Sequence, residues 1–435
     1  MKKLVVLILM VGLLMPSQYI AADELMDLTH KAGYKDAKMI NRPKSSIVID
    51  GKTGDILWQD NVDEIRDPAS MSKVLALYLV FEAMAEGKFS PDTIVTATPE
   101  DQAIAKIHRI SNNNIVAGVN YTVSELITAA VVPSSNAATL MLARLVEEDP
   151  DLFLDKMNAK AKELGMTNSH FYNASGAMAW AFDGYYKPKR YDNYRNNETT
   201  ARDYAILTYH FLKDYPDILK YSGESTVKIK EGTPYEESFD SYNYSLPNGE
   251  YGIKGVTGLK TGSSPTAAFN LTATAKRGEQ EIIAVIMGVG DWSDQGGEYY
   301  RHPFANALME KAFADYDYKK VIEKGVQRIG DKKVNAQKDV YATVSVDKAP
   351  QMLVKEEQLV IDNGLKNVSP MIEKEQQAIL DHDVSVSDES ATSAKKSGAS
   401  DQGEHVRNIL ITGGLIVLVF AGLVIMNKLR HLFKK

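Results

Sequence analysis

The sequence predicts an α+β protein: an antiparallel five-stranded sheet flanked by helices, then a small β-rich domain and a C-terminal transmembrane helix. Three observations lead there. Short β-like runs at 45–50 and 55–58 enclose the turn Gly51-Lys52-Thr53-Gly54, and comparable runs return only late, at 267–273 and 282–287. Between them the apolar spacing is helical, so helices pack on an antiparallel sheet. Residues 409–426 are uncharged and apolar, long enough to cross a bilayer.

Taken in order, Lys2-Lys3, an apolar run to Met15 and small residues at Ala21-Ala22 read as a secretory signal peptide over 1–22. Ile20 stands where a small residue is preferred. The glycine-flanked turn makes the first two strands antiparallel. The next helix opens at Ser70, ends near Gly87, and is apolar nearly all round, which sets it in the middle of the domain. Residues 121–131 and 137–146 are also helical, and Pro133 breaks them, so Ser134 and Asn136 lie in a tight inter-helix turn.

Helices follow at 151–164 and 200–212. The stretch between them, 180–197, carries Tyr185, Tyr186, Tyr191 and Tyr194 with Lys187, Lys189, Arg190 and Arg195. It fits either a groove rim or a solvated loop. A third late strand around Lys260-Thr261-Gly262 lies beside the sheet's centre, and a helix at 304–313 closes the domain, which spans 23–318. Alternating segments at 340–346 and 353–361 form a β-rich domain over 319–386. Residues 387–407, rich in Ser, Ala, Lys and Asp, form a flexible stalk, 408–427 the span, and 428–435 a cytoplasmic basic tail. Both ends then agree: nearly the whole chain lies outside the cell, on a single C-terminal anchor in the cell membrane.

The formal charge of −7 is spread along the 435 residues without a basic stripe, which argues against a nucleic-acid partner. Without cysteine there is no disulfide, thiolate metal site or Cys nucleophile. The eight histidines lack ligand spacing, so neither a metal nor a cofactor is expected.

Chemistry concentrates in three short motifs. Ser70 and Lys73, three apart, share one helical face, and burial lowers a lysine's pKa towards that of a base. The pattern alone is common, recurring at Ser225-Lys228, Ser345-Lys348 and Ser393-Lys396. Ser-x-Asn occurs at 134–136 but also at Ser111-Asn113 and Ser241-Asn243, and Lys-Thr-Gly at 260–262 but also at 52–54. Context selects Ser70, which opens the buried helix, Ser134-Asn136, at the helix break, and Lys260-Thr261-Gly262, on a strand. Met singly, Ser70 and Asn136 would be helix caps, and Lys73 and Lys260 surface charges.

That ordered set resembles the serine-type D-alanyl-D-alanine carboxypeptidases of the low-molecular-mass penicillin-binding protein family, with their β-lactamase/transpeptidase-like fold. The runs 66–70, 171–176, 200–203 and 258–262 extend the likeness, although many members end in a surface helix instead of a full span. The resemblance implies Ser70 as nucleophile, Lys73 as its base and Ser134 as proton relay. It implies that Asn136 holds the substrate amide, that Lys260 and Thr261 bind the terminal carboxylate, and that Gly262 lets the substrate backbone approach. The Ser70 and Ser263 backbone N–H groups would form the oxyanion hole. Its implied partners are peptidoglycan stem peptides ending in D-Ala-D-Ala, with β-lactam antibiotics as covalent inhibitors. Thr200, Arg202 and Asp203 read as a cap and a structural ion pair. A transpeptidase using the same acyl-enzyme is the rival, and a β-lactamase or a non-catalytic wall-binding module stand further off.

Overall fold

The computed structural model describes residues 23–379 apart from 331, 356–357 and 373–377. The signal peptide, stalk, span and tail expected from the sequence lie outside these residues. Among the described residues no helix is long and apolar enough to cross a membrane.

One antiparallel sheet organises the first domain. Its strands are β1 (Ser45–Asp50), β2 (Ile56–Asp60), β7 (Val256–Ser264), β8 (Ala268–Arg277) and β9 (Gln280–Val289), in the order β2-β1-β9-β8-β7. The N-terminal hairpin thus pairs with the last strand, and β7 is left on the edge. The expectation that Lys260-Thr261-Gly262 lies beside the sheet's centre is therefore corrected: the motif sits midway along an edge strand. The reason is strand order, which side-chain periodicity does not encode.

Helices cover both faces of the sheet, which explains why β9 reads as an unbroken apolar run. Its Ile283, Val285 and Met287 enter one core while Ile282, Ala284 and Ile286 enter another. The second core is closed by α1 (Glu24–Lys31), through Leu25 and Met26, and by α9 (Gly297–Asp315), through Phe304, Leu308 and Met309. The sequence placed that last helix at 304–313; it starts seven residues earlier and carries Pro303 within it.

The first core is the larger. It collects α2 (Lys73–Ala85), α3 (Pro99–Ala105), α4 (Val123–Val131), α5 (Asn136–Val146), α6 (Pro150–Glu163) and α7 (Ala201–Asp214), with α8 (Leu219–Ser222) beside β7. Residues 74–81 of α2 are all buried, as an all-round apolar helix requires. Small ladders, β3 (Ile94–Thr96) with β4 (Asn120–Thr122) and β5 (Thr226–Ile229) with β6 (Glu237–Asp240), edge this layer.

The β-rich part begins directly after α9. It contains β10 (Tyr316–Ile322), β11 (Gly325–Ile329), β12 (Lys332–Ala336), β13 (Val340–Ser345), β14 (Gln351–Lys355), β15 (Gln358–Asp362) and β16 (Ala378–Ile379), around a core that includes Ile322, Val334, Ala342 and Leu359. Residues 363–372 then return to the first domain. Asn363 Nδ2 donates to Asp55 Oδ2 (2.7 Å), Asn367 Nδ2 to the Thr53 carbonyl (2.7 Å), and the Val368 N–H to the Gly54 carbonyl (2.9 Å). Val368 and Ile372 are buried in the larger helical core. The β1–β2 turn is thus clamped by residues 363–372. Ile372→Ala is expected to cost about 2–4 kcal/mol, read as a lower Tm, because it opens a cavity in that core. An unchanged Tm would show that the clamp contributes nothing.

Candidate active site

Ser70 does not lie in the first turn of the α-helix, as the spacing suggested. It belongs to a 3-10 turn, Ala69–Ser72, that runs into α2, and it makes no capping bond. Ala69 before it has φ of 48°, a strained value for a residue with a side chain. Ser70 is partly exposed, whereas Lys73 is fully buried.

Lys73 Nζ stands 3.0 Å from Ser70 Oγ, 2.9 Å from Asn136 Oδ1 and 2.8 Å from the Ser175 carbonyl. The last two can only accept. Asn136 is fixed in that orientation because its Nδ2 donates to the Ser111 carbonyl at 2.8 Å. Once deprotonated, the amine can still donate to both of these acceptors and turn its lone pair to the Ser70 hydroxyl. Burial first, and then the charge of Lys260, push the Lys73 pKa well below its ordinary value.

Lys260 is the second buried amine. It donates to Ser134 Oγ (3.0 Å) and to the Thr261 carbonyl (3.1 Å). Burial and the charge of Arg301 bring its pKa down to about 7. Ser134 has φ of 61°, so the turn between α4 and α5 is strained where the hydroxyl is presented. Ser135, the residue between the two site residues, caps α5 by accepting from the Ala138 N–H. This frees Ser134 and Asn136 from that task.

Alternation along β7 divides its residues. Lys260 reaches Ser134, and Ser264 reaches Asp67 on the same side; Ser263 accepts from Arg301 of α9 (3.1 Å), on the other. Gly262 departs from expectation. A Cβ there would lie 2.4 Å from the Pro68 carbonyl oxygen and 3.0 Å from the Met71 nitrogen, so its missing side chain admits the Ser70 turn instead of a substrate backbone.

Sequence reasoning missed two participants. Arg301 is buried beside Ser263 and donates also to the Asn270 carbonyl, yet it reads in sequence as an ordinary helical arginine. Ser175 acts through its carbonyl, which no side-chain pattern reveals. Thr200 caps α7 (3.0 Å to the Asp203 N–H), and Arg202 pairs with Asp63, not with Asp203. The tyrosine-rich stretch is pinned in part: Tyr186 is buried and accepts from the Ala174 N–H, Tyr191 donates to Asp155, and Tyr185 and Tyr194 are exposed.

A hydroxyl facing a buried amine whose pKa is pushed down, with a second buried lysine nearby, defines a site for acyl transfer through serine. A family profile described as D-alanyl-D-alanine carboxypeptidase matches residues 34–291, and one for a domain of unknown function matches 318–379. The chain belongs to the D-alanyl-D-alanine carboxypeptidase family and is a serine-type carboxypeptidase. It is 27% identical over 375 residues to the D-alanyl-D-alanine carboxypeptidase DacF of Bacillus subtilis, covering 84% of this chain and 88% of that one. It is 30% identical over 274 residues to DacA of Escherichia coli, 62% of each chain. In fold it matches a peptidoglycan synthesis regulatory factor from Streptococcus pneumoniae with a TM-score of 0.66 at 23% identity, over 78% of this chain and 98% of that one.

Proposed function

We propose that this enzyme removes the terminal D-alanine of peptidoglycan stem peptides through an acyl-enzyme on Ser70, and that penicillin and other β-lactams acylate the same serine. The observation that carries this is the placement of Lys73, buried, with its Nζ 3.0 Å from Ser70 Oγ and held there by the Asn136 and Ser175 oxygens. Ser70 Oγ attacks the carbonyl carbon of the penultimate residue as its proton passes to Lys73 Nζ. The negative oxygen is received by the Ser70 and Ser263 backbone N–H groups. The C–N bond then breaks, Ser134 relays a proton to the departing amine, and water, activated by Lys73, releases the shortened peptide.

Asn136 chiefly orients Lys73, with one N–H left to reach the substrate amide. The edge position of β7 suits an extended peptide, which would pair with it as an added strand. Thr261 and Ser263 hydroxyls would hold the terminal carboxylate in the field of Lys260 and Arg301. The same reading keeps the catalytic domain on the cell-wall side of the membrane, held by the 408–427 span, with export directed by residues 1–22. The charge and hydropathy pattern of the two ends supports it.

Purified protein incubated with a pentapeptide ending in D-Ala-D-Ala is expected to release D-alanine and to form a penicillin adduct on Ser70. A D-amino acid added as acceptor distinguishes the rival, since exchange in excess of hydrolysis would make the enzyme a transpeptidase. Formation of neither product would sink both readings. The pH profile adds a sign. Lys260 must be charged to attract a carboxylate, so kcat/KM should fall as pH rises through about 7, the value at which the free enzyme loses that charge. A kcat/KM that keeps climbing above this pH would remove Lys260 from carboxylate recognition.

A further inference from the structure

Asp67 contacts neither lysine, yet it joins the two backbone segments that would receive the oxyanion. Its Oδ1 accepts from the Ala69 N–H at 2.8 Å, immediately before Ser70. Its Oδ2 accepts from the Ser264 hydroxyl at 2.8 Å, immediately after Ser263, and from the Thr266 hydroxyl. Its carbonyl accepts from Asn270 Nδ2 at 2.9 Å, on β8 opposite Gly262. At Gly262 the strand runs directly against Pro68 and Met71, so the two segments are already in backbone contact.

We infer that Asp67 is a positioning residue that sets the spacing of the Ser70 and Ser263 N–H groups, and so acts on the acylation step and not on substrate affinity. The inference rests on the oxyanion hole proposed above. A carboxylate suits the task because it accepts from several donors at once, and bonds to a charged oxygen are about twice as strong as neutral ones. The bond to Ala69 also restrains that residue at its strained φ, which aims the next N–H. Alanine at 67 removes both accepting oxygens, so both sides of the tie are lost.

The measurement is stopped-flow acylation by a fluorescent penicillin, separating the binding constant Ks from the acylation rate k2, with Tm recorded for each variant. Asp67→Ala is expected to lower k2 by about tenfold to a hundredfold, the range for a displaced oxyanion donor, while Ks stays within about threefold. Should Asp67→Ala fail to fold, the Ser264→Ala/Thr266→Ala double variant cuts one side of the same tie and should split k2 from Ks in the same direction. Acylation at the wild-type rate overturns the inference. So does a parallel loss of k2 and Ks that follows Tm, which would make Asp67 structural only. Ser70→Ala separates the two levels, since labelling that survives it removes the proposed nucleophile whatever Asp67 does.

Discussion

Lys73→Ala is expected to slow acylation of Ser70 by about 10³- to 10⁴-fold, the upper range for loss of a general base. The basis is geometric. No second side chain bonds Ser70 Oγ in the described site, and the amine that does is fully buried, its pKa pushed well below the ordinary value by burial and by Lys260. Substituting arginine tests the role against a simpler one. If position 73 served only as a positive charge, Lys73→Arg would restore acylation, whereas a guanidinium does not lose its proton in this range and cannot act as a base. Both variants should therefore be slow, with Lys260, Thr261 and Ser263, the proposed carboxylate site, unchanged. Single-turnover acylation by a chromogenic β-lactam measures this, and a Lys73→Ala rate within about tenfold of wild type would discard Lys73 as the base.

The lysine pair also shows how far sequence reaches. Ser70 and Lys73 are legible because three-residue spacing on a helical path brings side chains together, and the 3-10 turn preserves that. The all-apolar run 74–81 correctly announced the burial that depresses Lys73. What escaped was supplied by backbone or by chain order. The Ser175 carbonyl and the strained φ of Ala69 and Ser134 leave no trace in residue type. β7 reads as a strand, but its edge position depends on the N-terminal hairpin joining β9, a pairing between segments over 200 residues apart. The clamp of 363–372 on the β1–β2 turn was hidden for the same reason. Its Asn, Val and Ile residues look like ordinary loop and strand composition, and only the fold reveals their partners.

Gly176→Ala carries the second large effect, through the backbone contacts that hold Ser70 and Lys73, the proposed nucleophile and base, together. Gly176 has φ of +93°, which side-chain-bearing residues rarely adopt, and a Cβ there would lie 1.9 Å from the Ala69 carbonyl oxygen and 2.8 Å from the Ser70 nitrogen. Those are backbone atoms, so no rotamer change relieves the clash. Either the Ser70 turn or the segment carrying the Ser175 carbonyl has to move by about 1 Å or more, and a displacement of that size can cost 10² in rate. The entropy lost by the unfolded chain on replacing glycine favours folding by only about 0.4–1 kcal/mol, less than the strain of about 1–3 kcal/mol expected from the forced backbone. Gly176→Ala should therefore combine a lower Tm with acylation at least about a hundredfold slower than wild type. Crucially, the loss should appear in k2 even where the variant remains folded, because Ser70 and Lys73 are positioned from opposite sides of this contact. Acylation at the wild-type rate would mean that the two segments can separate freely, and that the close approach at Gly176 is incidental to the chemistry.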